Sequence, residues 1–305
     1  MPTPSLAFAT PRKLPRAADV HGRVVVLDVA FASEASGGGF EKLTKPFIDG
    51  LGPRLAAWID HHDHVLHAKY AADPRFVLAT KAEHGACPEM VTPELVARAG
   101  AVDTIVCHTD FDGLCSAAKW MCDGREPYPG ADDDARAIDT RIGKPSAIAE
   151  RIDRAIRARP RDVALLGLIV RHLASGVRDQ SLWRSIDEAG AQLVALETEA
   201  RRVAERFTRL DLSGGRTLMF VDATASHGRY DKTLLLLLGQ QRADLAAVID
   251  RDTATFAAPF DSGVNFLKLL GLSGGMPTLV SVPKSTLHDA LRRLGVGTDD
   301  LMKLA

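Results

Sequence analysis

Short apolar runs that end at polar side chains dominate the hydrophobic pattern of the first third of the chain. Residues 23–27 are apolar and β-branched after the first position, which is typical of a strand buried on both faces. Residues 55–59, 76–79 and 102–107 have a similar character and are short enough to be strands. The pattern therefore predicts four buried strands before residue 108.

Helical patterns separate and follow these strands. Thr92 and Pro93 mark one helix start, since threonine is a good cap and proline suits the first helical position. Helical segments are predicted over residues 92–100, 116–120, 145–158 and 162–173. Because strands that alternate with helices favour a parallel sheet, we expect an α/β fold with a Rossmann-like sheet.

The pattern after residue 181 predicts a connector and a second α/β unit. Charged and apolar residues alternate at helical period over residues 182–210, which we interpret as one connecting helix. Strands are predicted over residues 217–221, 245–249 and 278–282, with 253–258 as a hairpin partner and helices over 263–270 and 285–294. We therefore expect one α/β domain over residues 20–181 and a smaller C-terminal α/β domain over residues 211–305.

The first 19 residues have a different composition from the rest of the chain. They hold four prolines and three basic residues, and they lack the continuous apolar core of a signal peptide. The sequence therefore predicts a flexible leader over residues 1–19.

Composition narrows the class of protein. The chain has 305 residues, of which 46% are hydrophobic and 25% charged, as is ordinary for a globular protein. The net charge of −1 gives no field that would attract long duplex nucleic acid. The four cysteines show no metal-binding spacing, and no apolar run reaches the ~18–20 residues of a membrane span. We expect a cytoplasmic protein with reduced cysteines and no membrane contact.

Three of the predicted strands end at acidic or imidazole side chains. These side chains are Asp28 after the first strand, Asp60, His61 and His62 after the second, and His108, Asp110 and Asp112 after the fourth. One such group could be a polar loop. Three at the carboxyl edge of one sheet, where ligands bind in parallel α/β folds, predict a binuclear metal site. We expect Asp110 and Asp112 to point the same way along a turn that Gly113 permits.

These residues resemble motifs of the DHH phosphoesterase superfamily, which includes RecJ-type nucleases and nanoRNases. The segment from His108 to Gly113 fits the family's first motif, Asp28 its second, and the Asp60-His61-His62 segment its third. Asp139, within an Asp-Thr pair, is the nearest match to the fourth motif. In this chain the order is second, third, first, which resembles a circular permutation.

The resemblance implies a role for each residue. It implies two manganese ions, with magnesium or cobalt as alternatives, and with Asp28 bridging them. The first ion would be held by His108, Asp110 and Asp28, and the second by Asp112, His61, Asp139 and Asp28. Asp60 would orient His61 by accepting its other ring proton, and His62 would face the scissile phosphate.

The family's C-terminal domain binds substrate through a glycine-rich loop that contains a histidine. Gly274 and Gly275 are the counterpart here, but Met276 stands where the histidine would be. Asp222 and His227 are further candidates for substrate contact in this domain, although a turn at a strand end explains them better.

Three functions fit these observations. The first is a metal-dependent phosphoesterase that hydrolyses a small nucleotide or a short oligonucleotide. The second is a nucleotide- and metal-binding regulatory protein without turnover, which the altered glycine loop leaves open. The third is a pyrophosphatase-like enzyme, for which Lys268, Lys284 and Arg292 are the only obvious phosphate-clamping residues. A homodimer is compatible with the sequence.

Overall fold

The computed structural model describes residues 3–226 and 228–303 of the chain. His227, a candidate for substrate contact, lies outside the described residues. The chain divides into two compact units. The first comprises residues 1–33 and 38–192, and the second comprises residues 34–37 and 193–305.

The first unit is built on a five-stranded sheet. Its strands are β1 (Ser5–Phe8), β2 (Val24–Leu27), β3 (Leu55–Asp60), β4 (Phe76–Leu78) and β5 (Thr104–Cys107). They lie in the order β1-β5-β2-β3-β4, and all neighbouring pairs are parallel. The prediction of an α/β fold with a parallel sheet is confirmed.

Helices flank this sheet. They are α1 (Lys45–Leu51), α2 (His67–Tyr70), α3 (Pro93–Ala99), α4 (Phe111–Met121), α5 (Ala131–Thr140), α6 (Ala147–Ala158), α7 (Val163–Ala174) and α8 (Gln180–Ala191). Thr92 caps α3 as predicted, because its side chain accepts a hydrogen bond from the backbone N–H of Leu95.

The central strand β2 explains why this sheet is buried on both faces. Val25 and Leu27 belong to one apolar cluster, and Val24 and Val26 belong to another. Successive side chains of a strand point to opposite faces, so an all-apolar run fills two cores at once. Leu27 pairs with Ile59 of β3 and Cys107 of β5, so the carboxyl ends of the three strands are level.

The second unit contains a mixed five-stranded sheet. Its strands are β6 (Thr208–Asp211), β7 (Thr217–Asp222), β8 (Leu245–Asp250), β9 (Thr253–Ala257) and β10 (Leu279–Pro283). They lie in the order β10-β9-β8-β7-β6, and only the β7–β8 pair is parallel. Its helices are α9 (Leu193–Ala204), α10 (Lys232–Gln240), α11 (Phe266–Leu270), α12 (Leu287–Arg293) and α13 (Thr298–Lys303).

The prediction of a flexible leader over residues 1–19 is wrong for the part the structure describes. Ser5–Phe8 form the edge strand β1, and the Ser5 N–H donates to the carbonyl of Asp103 at 2.9 Å. An edge strand of four residues is too short to stand out in a hydrophobic pattern, and its partner β5 is about 100 residues away.

The prediction of one connecting helix over residues 182–210 is also wrong. This stretch holds most of α8, the separate helix α9 and the start of β6. Trp183 and Ile186 of α8 belong to the apolar core of the first unit, and Ala200 and Val203 of α9 to a core of the second. Each helix is amphipathic because it packs on its own unit, so the first unit extends to Gln192.

None of the helices in the described part of the chain is long and apolar enough to cross a membrane.

Candidate metal centre

Asp28 follows β2 in an unusual environment. Its φ of 58° lies in the left-handed region, which aspartate tolerates better than most residues. Both of its carboxylate oxygens are buried and accept no hydrogen bond from the described residues. Three imidazole nitrogens are nearby, His61 Nε2 at 3.2 Å, His108 Nδ1 at 3.6 Å and His62 Nδ1 at 3.8 Å. A buried carboxylate without hydrogen bonds is costly, and a cation between these groups would remove that cost.

Asp60 at the end of β3 and the two histidines that follow it do not all point to the same side of the chain. Asp60 and His62 lie two residues apart and meet, with His62 Nδ1 2.8 Å from Asp60 Oδ1. His61 points the other way, and its Nδ1 lies 3.0 Å from the backbone carbonyl of His84. A carbonyl can only accept, so Nδ1 carries the proton and Nε2 is the ligand atom.

The expectation that Asp60 orients His61 is therefore wrong. Residues at i and i+2 share a side of an extended chain, whereas neighbours do not. Asp60 orients His62 instead, and the backbone carbonyl of His84 orients His61. Sequence patterns could not reveal the role of His84, because any residue supplies a carbonyl.

The end of β5 leads directly into α4. Asp110 is the N-cap of α4, since its Oδ1 accepts from the N–H of Gly113 at 3.0 Å. Its Oδ2 lies 2.7 Å from Nδ1 of His108. Asp112 lies in the first helical turn, where its oxygens accept from the backbone N–H of Cys87 at 3.0 and 3.2 Å.

The predicted start of this helix at residue 116 and the predicted turn through Asp110 and Asp112 are wrong. α4 already begins at Phe111, so the two carboxylates lie in a cap and a first turn. The Asp110 side chain is 45% exposed and that of Asp112 only 3%, so the two are not equivalent. Aspartate is favoured at both positions because helix N-termini attract negative charge.

Asp139 approaches the same cluster from α5. Its Oδ2 accepts a hydrogen bond from Nζ of Lys81, and its ligand atoms lie within 4.8 Å of those of His61 and Asp112. The structure thus brings the predicted fourth-motif residue beside the other candidate ligands, and it does so from a helix that follows a loop rich in Pro, Gly and Asp.

Overlapping groups of residues offer ligand atoms within 4.8 Å of one another. They are Asp28 with His61 and His62, Asp28 with His108 and Asp110, Asp28 with Cys87 and Asp112, and His61 with Asp112 and Asp139. Burial, followed by the nearby carboxylates, raises the pKa of the Cys87 thiol well above its usual value.

Charge repulsion and burial shift the acid–base behaviour of the cluster. Burial, followed by the Asp28 carboxylate, raises the pKa of Asp112 to about 8. A large pKa shift of this kind in a buried cluster of ionisable groups is typical of functional sites.

The donor set fits a divalent cation. The cluster offers carboxylate oxygens and imidazole nitrogens, which suit manganese and related ions. The unpaired, buried oxygens of Asp28 at its centre are the observation that favours an ion there. A divalent ion bound there would polarise a phosphoryl oxygen and lower the pKa of an attacking water.

Lys81 is a member of the cluster that sequence reasoning missed. It is 2% exposed, and its Nζ lies 2.8 Å from Nε2 of His61 and contacts Asp139. A single lysine in the loop after β4 belongs to no recognisable motif, and only the fold reveals that it is buried among carboxylates.

The two glycines predicted to bind substrate lie in the second unit. Gly275 has a φ of 127°, and an added Cβ would meet only Leu267 Cδ2, at 3.7 Å. The backbone conformation there requires glycine. Asp222 accepts from the N–H of Thr224 at 2.8 Å and lies 3.6 Å from Nζ of Lys284, which explains it as a turn residue at a strand end. Substrate binding by Gly274 and Gly275 stays a prediction.

Comparisons with known proteins give little further information. No protein-family model matches this sequence, and no curated protein is similar to it. One solved structure to which the chain is similar is a pGpG-specific phosphodiesterase, PggH from Vibrio cholerae. The similarity covers 93% of this chain and 96% of that one, at 11% identity and a TM-score of 0.38.

Proposed function

We propose that this protein is a metal-dependent phosphoesterase that hydrolyses a phosphodiester or phosphomonoester of a small nucleotide or short oligonucleotide. The observation that carries the proposal is Asp28, a buried carboxylate at the carboxyl edge of a parallel sheet. It accepts no hydrogen bond from the described residues and lies beside three imidazoles. Such a group is costly unless a cation compensates it.

Two groups of candidate ligands in the cluster would each hold a cation. The first is formed by Asp28, His108 and Asp110, and the second by His61, Asp112 and Asp139. Two adjacent cations can stabilise both the attacking and the leaving oxygen of an in-line displacement at phosphorus. The resemblance of these residues to the DHH phosphoesterase motifs supports the same chemistry, and manganese is the ion we propose.

His62 has the geometry of a substrate-contacting residue. Asp60 accepts from Nδ1, which leaves Nε2 as the atom that His62 can offer to a phosphate oxygen. Its side chain is 18% exposed, whereas that of His61 is fully buried. We propose that His61 binds the ion and that His62 donates to the substrate.

The net charge of −1 supports a small substrate. Proteins that hold long nucleic acid strands need extended basic tracks to neutralise many phosphates. A nucleotide or a short oligonucleotide carries few phosphates, and a cation centre with one histidine donor is enough to bind them.

The test is hydrolysis of a substrate panel with added manganese. The panel contains a generic phosphodiester, di- to pentanucleotides, 3′-phosphoadenosine 5′-phosphate, a cyclic dinucleotide and pyrophosphate. We expect turnover of one compound that Asp112→Asn reduces by about 100-fold or more, because loss of a ligand exceeds the usual effect of residues that only orient ligands. Asp187→Asn, at an exposed aspartate paired with Arg151, is the matched control and should retain activity.

Two results would contradict the proposal. If no compound is hydrolysed although manganese binds, the chain is a binding protein without turnover. If Asp112→Asn retains full activity, the carboxylate cluster is not the active site.

A further inference from the structure

Lys81 is buried beside the candidate metal ligands. Its side chain is 2% exposed, and its ammonium donates to Asp139 and lies 2.8 Å from Nε2 of His61. Lysine is almost never fully buried unless it is paired. The two groups that it contacts are two of the three that form the second cation position.

The ring of His61 can serve only one cation. Its Nδ1 proton is directed to the carbonyl of His84, so Nε2 has one lone pair to offer. That lone pair can accept from the Lys81 ammonium or bind an ion, but it cannot do both. The Lys81 ammonium and a second metal ion therefore cannot contact Nε2 of His61 at the same time.

The charges around Lys81 favour the ammonium. Its Nζ donates to the carboxylate of Asp139, and the carboxylate of Asp112 lies 3.1 Å from the same Nε2 of His61 that Lys81 contacts. These acids surround the ammonium with negative charge. Its hydrogen bonds within the described residues do not reach His108 or Asp110, which belong to the first cation position.

We propose that the ammonium of Lys81 occupies the second cation position, so that the centre binds one metal ion together with one built-in lysine charge. This inference rests on the metal centre of the proposed function and replaces the expected pair of manganese ions. In this arrangement Lys81 supplies the second positive charge beside the phosphate group of the proposed substrate. An ion would enter the second position only by displacing the lysine from His61 and Asp139.

The test is the manganese stoichiometry of the full-length protein, measured by equilibrium dialysis after removal of metal with a chelator. We expect one ion per wild-type chain and two per Lys81→Met chain, because methionine keeps the apolar length of lysine without its charge. Lys119→Met is the matched control and should bind one ion. Lys119 is also buried and donates to Asp132 and the carbonyl of Pro88, but it contacts none of the candidate ligands.

Electron paramagnetic resonance of the wild-type protein gives a second readout that needs no variant. A single manganese ion gives an uncoupled six-line spectrum, whereas two ions ~3.5–4 Å apart couple to each other. This measurement decides the question even if Lys81→Met does not fold.

The outcomes separate this inference from the proposed function. Two ions in the wild type, a coupled spectrum, or one ion in a folded Lys81→Met would overturn the role of Lys81 and leave the phosphoesterase standing. No bound manganese in any variant would overturn the metal centre itself, and the role of Lys81 with it.

Discussion

At the scale of single residues, Asp28 is the centre of the structure's chemistry. It combines a left-handed backbone conformation, a buried side chain and two oxygens without hydrogen bonds among the described residues. Each of these features costs folding free energy in a chain without metal. A cation bound to the Asp28 carboxylate would compensate this cost.

Asp28→Asn should separate metal binding from folding. Asparagine tolerates the same backbone conformation but removes a buried charge that repels Asp112. We expect the metal-free variant to be at least as stable as the wild type and to gain no thermal stability from manganese. Differential scanning fluorimetry with and without manganese measures both effects. An equal manganese-induced rise of Tm in the variant and the wild type would show that Asp28 does not bind the ion.

The sequence revealed the candidate ligands but not the contacts between them. An acidic or imidazole residue after a buried strand is a local signal, and Asp28, His61 and His108 carry it. The carbonyl of His84 and the ammonium of Lys81 carry no such signal, because one is backbone and the other is a lone charge in a loop. Their roles depend on distances across the fold.

At the scale of elements, the β5–α4 connection positions half of the cluster. β5 ends at Cys107 and α4 begins at Phe111, so only three residues separate strand from helix. The helix packs so closely over this connection that a Cβ on Gly113 would lie 2.7 Å from the carbonyl oxygen of His108. Glycine at this position is required by close approach rather than by φ.

Gly113→Ala should therefore destabilise the protein although alanine is the better helix former. The helix propensity gain of about 1 kcal/mol is opposed by a clash with backbone that cannot move, and we expect a net loss of about 1–3 kcal/mol. Chemical denaturation measures it, and manganese affinity should fall because His108 is displaced. Gly167→Ala on α7 is the matched control, since its Cβ would meet only the flexible end of Arg171, at 3.4 Å. Equal stability changes in the two variants would contradict this account.

Hydrophobic patterns in the sequence were sufficient to predict some helices and strands and not others. Strands β2, β3 and β5 were predictable because each contains a continuous apolar run that is fully buried, and β4 because all three of its residues are apolar. The start of α4 was not predictable, because Phe111 and Asp112 read as part of a turn until the N-cap at Asp110 is seen. The split between α8 and α9 was hidden because both helices are amphipathic and only Gln192 separates them.

At the scale of the whole molecule, all candidate ligands lie in one of the two units. Asp28, His61, His108 and Asp139 belong to the unit formed by residues 1–33 and 38–192, which has its own sheet and apolar cores. The second unit has a separate sheet and separate cores. The metal binding that we propose is therefore a property of the first unit.

A fragment of residues 1–192 should fold and bind manganese with the stoichiometry of the full chain. It retains the parallel sheet, both of its cores and every candidate ligand. Circular dichroism and equilibrium dialysis measure the two properties. A folded fragment that binds no manganese would show that the second unit supplies part of the metal site.

The measurement that tests the account most directly is anomalous diffraction at the manganese absorption edge from crystals of the wild-type protein grown with manganese. We predict an anomalous peak about 2–2.5 Å from ligand atoms of Asp28, His108 and Asp110. The absence of a peak at these residues, with manganese present in the crystal, would contradict the metal centre and the phosphoesterase chemistry built on it.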